Sequence, residues 1–194
     1  MKPDTRYPLA LARSVAQEVA ALLRPGCARI DVAGSIRRQK PDIGDCELLV
    51  IPAPWGVFEY FLSSAMDRGI LTKRLNKNGH ETFGRLNKLM VHVPSGIGID
   101  LFSTTPENWG MALVVRTGPS EWNIAMMAAF QRLGTPAHAY GGVTVNGTEV
   151  ECPTEQRVFD LLGIPYLQPG ERTPQALSHA GRAAAGMTAS GSWT

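Results

Sequence analysis

Apolar residues at Leu11, Val15, Val19 and Leu22 recur at the spacing of one helical face, and Pro25-Gly26 ends the run. The period then changes. Across Arg29-Ile30-Asp31-Val32-Ala33-Gly34 apolar and polar positions alternate, which predicts a strand leading into a Gly34-Ser35 turn. Cys46 to Ile51 is almost continuously apolar and predicts a second, largely buried strand closed by Pro52. Helical spacing returns at Phe58, Phe61, Leu62 and Ala65. Residues 71–93 are basic and strand-like, with Asn78-Gly79 as an internal turn. A second turn at Pro94–Gly98 precedes a strand, Ile99–Ser103, that carries Asp100. Helices and strands mixed in this way predict an α+β half built on an antiparallel or mixed sheet.

From about Glu107 the character shifts. Residues 107–115 and 120–133 have helical patterning, separated by Thr117-Gly118-Pro119. Val143–Val150 reads as a hairpin turning at Asn146-Gly147. Thr154 is placed to cap a short helix that ends at Leu162 before Gly163-Ile164-Pro165. These changes put a domain boundary near residue 106, giving domains at 1–106 and 107–173. Residues 174–194, rich in Ala, Gly and Ser, are expected to form a disordered tail.

Charge changes the picture little. The 194 residues carry 19 basic and 17 acidic side chains, a net charge of +2, which argues against a uniformly basic nucleic-acid coat but leaves room for a local basic groove. No apolar run reaches the ~18–20 residues of a membrane span, and the N-terminus lacks the apolar core of a signal peptide. The three cysteines share no metal-type spacing and are expected to be reduced. A cytoplasmic monomer is the expectation.

Candidate chemistry lies in the carboxylates. Asp45 and Glu47, two apart on a predicted strand, project from one face, and Asp100 stands on another strand. If those strands are neighbours, the three acids converge, and one or two Mg²⁺ ions would satisfy them. Such a site suits in-line phosphoryl transfer. Gly34-Ser35 offers close backbone approach and a hydroxyl to phosphate, and Arg38 or Arg37 offers a bidentate fork. Taken alone, a D-x-E strand end is usually a solvated edge, and Gly-Ser before two arginines is a common surface turn. The combination with a third strand-borne aspartate is what points to a site.

These segments resemble the polymerase X family, the DNA polymerase beta-like nucleotidyltransferases. Gly34-Ser35, Arg38, Asp45-Cys46-Glu47 and Asp100 match the family's palm motifs. Thr117–Asn123 is similar to the segment that opens the thumb, and Thr154-Glu155 through Leu162–Tyr166 to its C-terminal motif. The resemblance implies a palm with a mixed β-sheet and flanking helices, plus a small α/β thumb. About 30 residues precede the Gly-Ser turn, too few for the family's lyase and fingers domains, so a minimal palm-thumb form without lyase activity is expected.

Carried over residue by residue, the resemblance makes Asp45, Glu47 and Asp100 the catalytic and metal-binding residues, holding two Mg²⁺ ions or Mn²⁺ in their place. Gly34, Ser35 and Arg38 would contact the nucleotide phosphates, Thr117 and Gly118 the sugar, and Asn123 the base. The implied partners are primer-template or gapped DNA and a dNTP or NTP, for gap-filling repair synthesis. The basic segment is open to two readings, a solvated face or a DNA-phosphate track. Arg85 and Lys88 are the leading candidates for the track, followed by Lys73 and Arg74. Trp109 and Trp122 read as packing residues.

Several positions depart from the family. Glu47 replaces an aspartate. Val115-Arg116 stands at the sugar gate in place of an aromatic pair, which makes ribonucleotide use plausible. Ile124 and Met127 replace cationic thumb residues, and Phe102 replaces an arginine. The family's unusual cis peptide after Thr-Gly makes a cis Gly118-Pro119 bond the expectation. Two other function classes stay open: transfer to an RNA, small-molecule or protein hydroxyl, and a degenerate nucleic-acid-binding module without turnover.

Overall fold

Alternating burial along two adjacent strands organises the first half of the chain. The computed structural model describes residues 5–138 and 142–178. The chain divides into two units, Met1–Thr105 and Pro106–Thr194. The first unit runs β1 (Tyr7–Pro8), α1 (Leu9–Leu23), β2 (Cys27–Val32), α2 (Gly34–Arg37), β3 (Asp42–Ile43), β4 (Asp45–Pro52), α3 (Trp55–Asp67), β5 (Leu71–Lys73), β6 (Asn87–His92) and β7 (Gly98–Ser103).

Five of these strands form one sheet in the order β2-β4-β7-β6-β5. Only the β4-β7 pair is parallel, so the sheet is mixed, as the patterning implies. Ile30, Cys46, Leu48, Val50, Met90, Ile99 and Leu101 are buried in one core with α1 and α3. Truncating a fully buried leucine such as Leu48 is expected to cost about 2–5 kcal/mol. The α1 stripe in that core is Ala12, Val15, Ala16, Val19, Ala20 and Leu23. Leu11, assigned to it by spacing, is 45% exposed. A side strip pairs β1 with β3, placing the N-terminal residues beside the start of β4.

The second unit contains α4 (Trp109–Thr117), α5 (Ser120–Arg132), a hairpin of β8 (Val143–Val145) and β9 (Thr148–Val150), and α6 (Glu155–Leu162). Its core gathers Met111, Val114, Trp122, Met126, Phe130, Phe159 and Leu162. Trp109 and Trp122 are both buried, in keeping with a packing role. The hairpin turns at Asn146 and Gly147, both at positive φ, as the Asn-Gly pair requires. Thr154 Oγ1 accepts from Arg157 N at 3.2 Å, and Gly163 closes α6 in the left-handed region.

Two expectations are corrected in this unit. The peptide bonds of the described residues are all trans, Gly118-Pro119 among them. Proline narrows the trans preference to about 0.5–1 kcal/mol without reversing it. Here an extended Gly118, with its N–H on Val114 O at 2.8 Å, leads directly into Pro119 as the N-cap of α5. The expected tail also starts too early. Residues 174–178 are helical, and Leu177 is buried in the second core. One apolar residue gives this turn an anchor that its bulk composition hides. Residues 179–194 lie outside the described part.

Candidate active site

The parallel register of β4 and β7 decides what faces the open side of the sheet. Glu47 lies opposite Asp100, and Asp45 lies opposite Gly98. Register partners in a pleated sheet project to the same side, so Asp45, Glu47 and Asp100 share one face. Cys46 and Ile99, between them, point into the core. Cys46 Sγ donates to Ala12 O at 3.3 Å, and burial pushes its thiol up to about 12, with the Asp45 and Asp100 carboxylates adding to the shift.

The turn after β2 is built against this face. Gly34 has φ +61°, a conformation that suits glycine. A Cβ there would stand 2.7 Å from both Cδ and Oε2 of Glu47. Ala33 N donates to Glu47 O at 2.8 Å, which ties the turn to β4. Ser35 and Arg38 follow on and just after α2. Both line a cleft of about 640 Å³ together with Asp45 and Glu47.

The carboxylates share a face but do not form a common ligand set. Among the described residues no three His, Cys, Asp or Glu side chains are gathered for a metal. Glu47 is directed at the Gly34 turn, while Asp100 accepts from Arg74 Nη2. The same Arg74 nitrogen lies 3.9 Å from Asp45 Oδ2. The donor chemistry nevertheless fits a hard cation: carboxylate oxygens on adjacent strands, with an organic cation already against two of them. Asp45 and Asp100 could hold a divalent ion once Arg74 moves. Glu47 would join through a change of side-chain conformation.

The residues of the basic segment divide between the two faces of the sheet. Lys73 pairs with Met90, and Lys88 with Leu101, which are positions of the core face. Lys88 is only 5% exposed, donates to Gly84 O at 2.7 Å and lies near the Trp55 and Phe83 rings. Burial lowers its pKa. Its neighbour Leu89 pairs with Asp100, so strand alternation sends Lys88 to the opposite side from the carboxylates. Arg85 is exposed beside Trp55, and Lys73 pairs with Glu81 at 3.2 Å. Of the four candidates, Arg74 alone enters the cleft with the carboxylates.

The cleft also takes in Lys77 of the basic segment, and Thr5, Arg6, Tyr7, Gly44, Gly96 and Gly98, which sequence reasoning did not single out as site residues. Arg6 arrives through the two-residue pairing of β1 with β3, too short to leave a periodic signal. Gly98 was read as the end of a turn, whereas it opens β7 and stands two residues before Asp100 on the same face.

The second unit holds the remaining candidates. Thr117 is buried at the end of α4. A Cβ on Gly118 would meet Trp122 Cδ1 at 2.5 Å and Asn123 Oδ1 at 2.8 Å. Asn123 Nδ2 donates to Val115 O at 2.7 Å, which locks the amide to the segment carrying Val115 and Arg116. Its Oδ1 is buried without a hydrogen-bond partner. Ile124, on α5, is 71% exposed.

Residues 112–173 match the family described as DNA polymerase beta thumb, so the second unit is a thumb of the polymerase beta type. This match and a likeness to one whole polymerase support a DNA polymerase X family-like protein. It is 29% identical over 192 residues to DNA polymerase lambda of Rattus norvegicus, an alignment covering 86% of this chain and 33% of that protein. The chain therefore spans about a third of the relative's length. No helix among the described residues is long and apolar enough to cross a membrane.

Proposed function

We propose that the chain is a metal-dependent nucleotidyltransferase that adds nucleotides from a dNTP or NTP to a DNA 3′-hydroxyl, as in gap-filling repair synthesis. One observation carries this reading: Asp45 and Glu47 share a sheet face with Asp100, beside the Gly34-Ser35 turn and Arg38. The family likeness supports it.

In this reading Asp45, Glu47 and Asp100 would hold two Mg²⁺ ions, which would supply Lewis acidity toward the triphosphate and the attacking hydroxyl. Asp100 orients the primer 3′-hydroxyl. Asp100 takes the hydroxyl proton as the 3′-oxygen bonds to the α-phosphorus, the α–β phosphoanhydride breaks and pyrophosphate leaves. Gly34, Ser35 and Arg38 bind the leaving phosphates through backbone N–H, hydroxyl and guanidinium donors. In the thumb, Thr117 and Gly118 address the sugar and Asn123 the base. Val115 and Arg116 offer no aromatic wall at the sugar gate, which makes ribose discrimination weak.

Primer extension with each of the four dNTPs and NTPs, on gapped and single-stranded primers, tests the proposal. Template-directed, metal-dependent incorporation that is lost in Asp100→Ala is the expected result. Incorporation without a template, or only onto RNA, would reassign the acceptor. No incorporation by the parent chain under any condition would make it a binding module.

A further inference from the structure

Arg74 follows directly on β5, and its N–H donates to Leu89 O at 3.0 Å, extending the pairing with β6 by one residue. Leu89 is the register partner of Asp100. The side chain therefore crosses β6 and reaches the carboxylates of β7 and β4. Gly98 opens the way: a Cβ there would lie 3.4 Å from Arg74 Nε and 3.3 Å from Asp45 Cβ. The Arg74 side chain is only 20% exposed, and its Nε is buried without a hydrogen-bond partner. The carboxylates thus hold a largely desolvated cation.

We infer that Arg74 is a positioning residue that competes with the metal for Asp100 and Asp45, an inference that rests on the metal-site reading above. Without metal, its guanidinium offsets the repulsion between two carboxylates on adjacent strands. Metal binding at Asp100 displaces it. Its route out lies along the same cleft as Ser35 and Arg38, where the phosphates of a triphosphate give it a new partner. Metal alone therefore binds weakly, and metal with nucleotide binds well. Arg74 makes the two cooperative.

Mn²⁺ binding to the parent, Arg74→Gln and Arg74→Lys, measured by electron paramagnetic resonance without nucleotide, tests this directly. Arg74→Gln is expected to bind Mn²⁺ about tenfold more tightly or better, with Arg74→Lys close to the parent. Metal-free Arg74→Gln should melt below the parent and gain more in Tm from added Mg²⁺. Equal or weaker Mn²⁺ binding by Arg74→Gln, with the parent binding normally, would overturn the role of Arg74 alone. Absence of binding in both, or binding unchanged by Asp100→Asn, would overturn the metal site with it. Should Arg74→Gln not fold, the Arg74 Nε–H resonance of the parent reads the same event during Mg²⁺ titration. A saturable shift supports displacement, and a static signal while metal binds overturns it.

Discussion

The Glu47 carboxylate occupies the space where a side chain on Gly34 would begin, with Cδ and Oε2 both 2.7 Å from the ideal Cβ position. The longer acid and the bare turn are two halves of one fit. The extra methylene carries the carboxylate off the strand toward the Gly34-Ser35 turn, and glycine receives it. Glu47 thus stands between the residues assigned to metal and those assigned to phosphate.

Gly34→Ala should be destabilising twice over. An L side chain at φ +61° costs about 1–2 kcal/mol, and the new Cβ displaces Glu47. Combining it with Glu47→Asp, which withdraws the carboxyl by one methylene, should recover part of the loss. A contact with Glu47 Cβ at 3.1 Å persists, so recovery stays partial. Urea denaturation of the double-mutant cycle should show coupling of about 0.5–3 kcal/mol. Strict additivity would mean that the two positions do not touch.

Asp100→Asn should lower primer extension by at least about 100-fold, the order lost when one electrostatic partner of a transition state is removed. The amide keeps an oxygen acceptor for Arg74 and Asp45 stays beside it, so the protein should still fold, at a Tm below the parent's. Retention of turnover within tenfold of the parent, measured below the Tm of both, would remove Asp100 from the chemistry.

Most of this arrangement was legible in the residues. Alternation in Arg29–Gly34 and the apolar run Cys46–Ile51 locate the strands, and period two places Asp45 and Glu47 on one face. The order of strands was not legible. No local signal says that β7 lies parallel to β4 and in register with it, so the conditional convergence of Asp100 could be resolved only by tertiary structure. The side-chain outcome was hidden for a further reason. Arg74, just past the end of β5 and 26 residues before Asp100, answers the carboxylates through space, and sequence distance does not measure that. Period two could have cautioned against Lys88, had its register with Leu101 been known.

Lys88→Met is expected to leave DNA affinity and its salt dependence unchanged, because the ammonium is buried against Gly84 O, Trp55 and Phe83. A lost phosphate contact would instead reduce the slope of log affinity against log salt by about 0.9. Fluorescence anisotropy across a salt series separates the outcomes. Stability should hold or rise, since burial already disfavours the charged form and methionine fills similar space without the desolvation cost.

Gly118→Ala should unsettle the second unit at the junction of α4 and α5. The added methyl meets the Trp122 ring at 2.5 Å and Asn123 Oδ1 at 2.8 Å, so α5 must shift or Trp122 must change rotamer. Overpacking of this kind costs about 1–3 kcal/mol. Trp122 fluorescence should change, and the cost should appear in Tm. An unchanged Tm would show that the junction between α4 and α5 absorbs a methyl group freely.

Cys46 supplies a prediction with a definite sign in pH. Its thiol is fully buried, and its pKa is raised from 9.0 to about 12 by burial first and by Asp45 and Asp100 second. In the unfolded chain the thiol ionises near the lower value. The folded state therefore binds the proton where the unfolded state has released it, and stability falls as pH rises through that window. The contribution is fully present below the unfolded pKa and lost progressively toward about 12. Between pH 8 and pH 10 the parent should lose about 1.4 kcal/mol more than Cys46→Ser, the equivalent of one pH unit above the unfolded pKa. Urea denaturation of both proteins at the two pH values checks this, because serine does not titrate there while Cys27, Cys152 and Lys88 are common to both. Equal losses would mean that the Cys46 thiolate is tolerated in the fold, and the carboxylates above it would then not be held as close to the core as the register of β4 and β7 places them.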